Sequence, residues 1–421
     1  METKMLEARL ADEPMLKRVY GEGRLEEVYD RCKNAIKGFR QNFPSSPVVI
    51  YSAPGRTEIG GNHTDHQHGC VLAAAVDLDV LAVVDPRGDA WVNVMSEGYP
   101  MIEVNILDSE PKQEEKNTSA ALIRGVAARI QALGCQLGGF NAYITSMVPG
   151  GSGLSSSAAF EVLIGTIFND LYCDGKWTPV EIAQIGQYAE NVYFGKPCGL
   201  MDQMASSVGG VVAIDFRDPE KPEVEAIQVN LAAYGYALCI LDSGADHADL
   251  TAEYAAITEE LKAVCGCFGK RVLREIPEEE FMEKIPEVRK TAGDRAVLRA
   301  LHVYAENRRA VEEADALRSG DFARFLSLVR DSGRSSAVYL QNVVPCGQYR
   351  NQELQLTIAL CEQILNGRGA VRVHGGGFGG TAQAFVPLDL LSEFKTRTEA
   401  VLGEGACHVL SIRPQGGVPA L

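Results

Sequence analysis

The chain has 421 residues, 46% of them hydrophobic, enough to bury a large core and to divide into two domains. Its 56 acidic against 40 basic side chains give a formal charge of -16, which disfavours a nucleic-acid reader but does not exclude a nucleotide held by backbone amides. The 11 cysteines lack metal-ligand spacing and the N-terminus lacks a signal peptide's apolar run, so the expectation is a cytoplasmic protein without a disulfide framework or structural zinc.

Two amphipathic segments, 3–19 and 24–43, predict helices, and a β-rich stretch opens at PVVIYSAPGR. GRTEIGGNHTDHQHG, 55–69, follows neither a helical nor a strand period and reads as a polar loop. The apolar run from Val71 carries Asp77 and Asp79 and is too short to span a bilayer. From Phe140 a strand-like alternation gives way to PGGSG and then to helical spacing around Ala158 and Val162. The charged, proline-bearing DFRDPEKPEVEA suits a boundary, giving expected domains 1–215 and 216–421. Beyond it, long helical patterns at 251–264 and 294–317 alternate with short apolar runs, and GGGFGG at Gly375 to Gly380 separates two β-like runs. The grammar is α+β, with no internal repeat.

Three of these stretches hold chemistry. Strand, glycine loop and a helix with serines in its first turn aim unpaired N–H groups and a positive dipole end at an anion. The same pattern also serves as a serine-capped turn, and it is neither a Walker A loop nor a dinucleotide fingerprint. GGGFGG permits close backbone approach to a ligand or to another segment, or a plain hinge. In the first loop His63, Asp65, His66 and His68 suggest a metal cluster, but no distant Cys/His set completes one. Asp202, inside the apolar run LMDQMA, needs a partner, and Arg56 is the natural candidate.

Taken in order, APGRTEIGGNHTDHQHG, PGGSGLSSSAAFEV, AENVYFGKPCGLMDQMAS, RALHVYAENRR and GGGFGG resemble the GHMP superfamily of small-molecule kinases, and within it the galactokinase family. The resemblance covers residues 48 to about 386. It implies an S5-like N-terminal domain and a ferredoxin-like C-terminal domain with the active site between them, and transfer of phosphate from ATP to the C1 hydroxyl of galactose. Asp202 and Arg56 would be catalytic, with Gly151, Ser152, Gly153, Leu154, Ser155, Ser156 and Ser157 cradling the phosphates of ATP. Ser157 and Glu190 would hold Mg²⁺, although taken alone one reads as a helix cap and the other as an exposed helix face. Asn62, His63, Thr64, Asp65 and Tyr254 would contact the sugar. Partners would be a sugar and ATP, with no nucleic acid or membrane.

The departure from the family falls on specificity. Asn62 stands where galactokinases have Glu, His66 where Tyr is usual, and TEIGG replaces VNLIG. Asn keeps a polar partner for the C6 hydroxyl but loses the charge, so galacturonate, N-acetylgalactosamine and arabinose are alternative substrates. A sugar-sensing, non-catalytic regulator is the alternative of another class; such relatives damage the phosphate loop, which is intact here.

Overall fold

The protein is described by a computed structural model covering residues 13–44, 49–149, 153–196, 198–245 and 250–420. Gly151 and Ser152 of the expected phosphate loop lie outside the described residues, as do 3–12 of the first expected helix.

Chain order gives α1 (Glu13–Tyr20), α2 (Leu25–Asn42), β1 (Val49–Gly60), β2 (Cys70–Pro86), β3 (Trp91–Ser96), β4 (Ile102–Asn105), α3 (Ser119–Ala132) and β5 (Phe140–Ser146). After the glycine loop come α4 (Ser156–Tyr172), α5 (Pro179–Ala189), which runs on as a wider turn through Glu190–Phe194, α6 (Met201–Val208), β6 (Val211–Asp215) and β7 (Glu223–Ile227). Then follow β8 (Tyr236–Asp242), α7 (Thr251–Gly266), α8 (Glu278–Ala292), α9 (Asp294–Ser319), α10 (Phe322–Ser335), α11 (Glu353–Leu365), β9 (Ala370–Val373), β10 (Thr381–Pro387), α12 (Leu391–Leu402), β11 (Cys407–Leu410) and β12 (Val418–Pro419).

Among the described residues the larger sheet runs β12-β1-β2-β5-β3-β4, with β6 on the lower half of β2 and β7 beside it; the smaller runs β11-β8-β10-β9. The larger sheet is covered on both faces, and the strand period of two decides which residue faces which helices. Leu81 and Val83 of β2 meet Val28, Cys32, Ile36 and Phe39 of the α1–α2 pair. Val80, Ala82 and Val84, with Phe140, Ala142 and Ile144 of β5, meet Val126 of α3 and Val162, Leu163 and Ile167 of α4. Each such buried Val, Leu, Ile or Phe side chain contributes about 1.5–3 kcal/mol. The smaller sheet packs Val371, Val373 and Ala384 under α11 and α12, and α7, α8 and α9 form a separate helical core around Phe281 and Leu261.

Around the expected 215/216 boundary, β6 and β7 form a hairpin that pairs Val211 with Ile227, and β12 joins the same sheet at Tyr51 and Ser52. A proline-rich, charged turn looks the same in sequence whether it joins strands or domains. Against the expectation of no disulfide framework, and with the other nine cysteines free, Cys135, after α3, and Cys173, at the end of α4, form a single pair with Cα atoms 6.2 Å apart. Their spacing of 38 residues carries no signal, because packing of α3 against α4 brings them together. Among the described residues no helix is long and apolar enough to cross a membrane.

Candidate active site

The centre of the site is built where β1, the glycine loop and α6 meet. Arg56, on β1, holds Asp202 in a two-pronged contact, Nε to Oδ1 at 2.7 Å and Nη2 to Oδ2 at 2.6 Å, and Nη1 also donates to the Gly153 carbonyl. Ser155 Oγ donates to Asp202 Oδ2 at 2.7 Å. The guanidinium is nearly buried while the Asp202 side chain remains 30% exposed, so the acid faces an accessible space with its charge already compensated. Burial pushes the Asp202 carboxyl up, but the Arg56 charge and the Arg56 and Ser155 hydrogen bonds outweigh it and hold it below its ordinary value. Ser155 itself sits in the left-handed region at φ 57°, immediately before α4, where it turns the chain so that its hydroxyl meets α6.

Farther along α4, Ser157 Oγ lies 3.2 Å from Glu190 Oε1, at the end of α5. Glu190 is buried, not on an exposed face, and is also met by Lys196 Nζ at 3.4 Å and Gln203 Nε2 at 2.8 Å. A hydroxyl and one carboxylate within hydrogen-bond distance suit a hard cation that keeps most of its ligands as water and phosphate oxygens. Among the described residues no group of three or more His, Cys, Asp or Glu comes together for a metal. Behind the pair, Gln203 Nε2 also donates to the buried Glu161 at 2.9 Å.

The loop after β1 is folded onto the C-terminal glycine stretch. His63 sits at φ 62° with Nε2 2.9 Å from the Gly376 carbonyl, and burial lowers its pKa to about 4. Asp65 stays partly exposed and lies against Gly199, where a Cβ would approach its Oδ2 to 2.6 Å. Since Gly199 is three residues before Asp202, this contact brings the loop beside the acid. Thr64 is fully buried and its hydroxyl serves the Gly61 and Cys70 carbonyls, closing the loop internally. Tyr254, on α7, donates its hydroxyl to Gly377 at 2.8 Å and sets its ring edge-on to Phe378. Asn62 is fully buried and bonded on all sides. Of the five expected sugar contacts, His63 and Asp65 thus face outward in part, Tyr254 is half-buried, and Asn62 and Thr64 are turned inward.

Sequence reasoning missed a cavity of about 490 Å³ that starts at Ser156 and Ser157 and runs between β3, α3 and α4, lined by Tyr99, Pro100, Ile102, Leu122, Phe160 and Phe194. These apolar side chains come from four separate segments, so no local pattern marks them. A mostly apolar slot opening at a helix N-terminus is suited to a flat ring attached to an anion.

Residues 121–210 match the family described as GHMP kinases N terminal domain, and residues 37–86 match the galactokinase galactose-binding signature. Among solved structures, the galactokinase of Lactococcus lactis complexed with galactose is 26% identical, covering 92% of this chain and 99% of its own, with a TM-score of 0.77. The mevalonate kinase of L. major in complex with R-mevalonate is 17% identical over 88% of this chain and 99% of its own, TM-score 0.59. A D-glycero-D-manno-heptose 1-phosphate kinase from Bacteriodes thetaiotaomicron is 14% identical over 88% and 98%, TM-score 0.59. The last two share the fold.

Proposed function

We propose that this chain, a kinase of the GHMP superfamily, is a galactokinase that transfers the γ-phosphoryl group of ATP to the C1 hydroxyl of galactose. The observation that carries the reading is the Arg56–Asp202–Ser155 cluster, set between the glycine loop and the sugar loop. An ionised Asp202 orients the C1 hydroxyl and accepts its proton as the oxygen attacks phosphorus, while Arg56 compensates charge on the phosphoryl oxygens. Backbone N–H groups at the start of α4 hold the transferring phosphates, and the slot beyond Ser157 takes the nucleoside. Ser157 and Glu190 would hold Mg²⁺, which when bound neutralises phosphate charge. Asp65 and His63 bind ring hydroxyls. The work of such a site is positioning and charge stabilisation. With no membrane helix among the described residues, a cytoplasmic location fits a small-molecule kinase.

The inward turn of Asn62 favours one second reading, a 1-kinase for galacturonate, N-acetylgalactosamine or arabinose, because no carboxylate at position 62 grips the C6 group. The test is ATP consumption against galactose, galacturonate, N-acetylgalactosamine, arabinose and glucose, with NMR locating the phosphate. Galactose 1-phosphate is the expected product. Asp202→Ala should reduce turnover by at least about a hundredfold while calorimetry still detects sugar binding; unchanged turnover would remove Asp202 from its role, and silence of the native protein on every sugar would turn the reading to a sensor.

A further inference from the structure

The change at position 62 takes its meaning from its surroundings. Asn62 Nδ2 donates to Glu58 Oε1 at 2.9 Å and to the Gly375 carbonyl at 2.7 Å. Its Oδ1 accepts from Asn342 Nδ2 at 2.9 Å and from Ser336 Oγ at 3.4 Å. Two donors and two acceptor positions are all that a carboxamide offers. The backbone of Asn62 is engaged as well, its N–H with Glu306 Oε1 at 3.4 Å and its carbonyl with His302 Nε2 at 3.0 Å. A sugar hydroxyl can reach the Asn62 amide only by displacing a partner.

Glu58 is the partner with the firmest anchorage. Its carboxylate is buried and sits 2.6 Å from Arg372 Nη2. Arg372 is itself fully buried and fixed by bonds to the Ile59 and Val373 carbonyls. Burial raises the Glu58 pKa and the Arg372 charge opposes it, while the Gly375 carbonyl can only accept, so Asn62 presents its NH₂ to Gly375 and to the Arg372-paired Glu58, and its oxygen to Asn342 and Ser336. That orientation leaves the second N–H pointing at Gly375, and the neighbouring Gly376 carbonyl then meets His63.

We propose that Glu58 is a positioning residue for sugar recognition, acting through Asn62 to fix the sugar loop against Gly375 and Gly376. Specificity at this corner then rests on a Glu58–Asn62 pair with its charge compensated by Arg372, in place of a carboxylate at position 62. The inference rests on the sugar-kinase reading above.

The experiment measures KM for galactose, KM for ATP, kcat and thermal unfolding for the native protein, Glu58→Gln, Glu58→Asp, Asn62→Ala and Glu58→Gln/Asn62→Ala. Glu58→Asp keeps a negative charge beside Arg372 but withdraws the carboxylate from Asn62 by about 1.5 Å, so it remains informative where Glu58→Gln does not fold. A positioning role raises the galactose KM about tenfold in each Glu58 variant, leaves the ATP KM within about twofold, and makes the double variant no worse than the poorer single one. A galactose KM unchanged in Glu58→Asp, an equal rise in both KM values, or strictly additive effects in the cycle overturns it. If the native protein turns over another sugar of the panel, the same comparison is made with that sugar. A native protein that phosphorylates none overturns both the kinase reading and this inference.

Discussion

Asp202 shows how a single carboxyl group is kept ready at neutral pH. Because its folded pKa is depressed, its stabilising contribution is fully present above the unfolded carboxylate value of about 3.9 and is lost as pH falls through the folded value. On the proposed mechanism, kcat/KM therefore has its acid limb below the ordinary carboxylate range where this group controls it. Ser155→Ala removes one bond to the charged form and should move that limb to higher pH; a limb that stays in place would show that Ser155 does not tune the acid. The Arg56–Asp202 contact was legible, since a carboxylate in an apolar run demands a cation. The Ser155 contact was not, because it depends on one residue adopting a left-handed backbone between a loop and a helix.

At the scale of elements, the strand, glycine loop and helix order was readable from periodicity, and β5 and α4 lie where it placed them. In sequence the third glycine stretch suits a ligand contact, packing against another segment or a plain hinge. Its carbonyls meet Asn62, His63, Tyr254 and Asn342, so in this structure it is a seam between segments far apart in sequence. Gly377 shows why side chains are excluded there: its φ is 86°, and an added Cβ would lie 2.1 Å from the Asn342 carbonyl oxygen. Gly377→Ala should cost roughly 1–3 kcal/mol in urea unfolding and weaken sugar affinity together with stability. A variant as stable as the native protein would mean that the seam rearranges freely.

Across the whole molecule, one buried acid ties the chain ends to the larger sheet. Asp79 of β2 accepts from Tyr20 of α1 at 2.7 Å and from Arg413, near the C-terminus, at 3.1 Å, and it also meets Ser52 of β1 and Arg31 of α2. Burial pushes its carboxyl up, but the Arg31 and Arg413 charges and the Ser52 bond bring it down to about 2. Its contribution is complete above the unfolded value and is lost as pH falls from about 4 towards 2. Asp79→Ala strands two guanidinium groups and should cost about 3–5 kcal/mol, read as a lower urea midpoint at pH 7. The gap between native and variant should narrow at pH 2–3, and a constant gap would mean that packing, not charge, holds the ends. Asp79 was visible in sequence only as a charge interrupting an apolar run.

The sequence by itself determined the α+β class, the order of the three glycine-bearing or polar stretches and the pairing need of Asp202, because these rest on local periodicity, backbone freedom and the cost of burying a charge. Tertiary structure alone decided that Asn62 faces inward onto Glu58, that the apolar slot forms beyond Ser157, that Cys135 meets Cys173, and that β12 returns to β1. Each of these joins residues distant along the chain, and which distant groups meet is set by how sheets and helices pack, which no local pattern records.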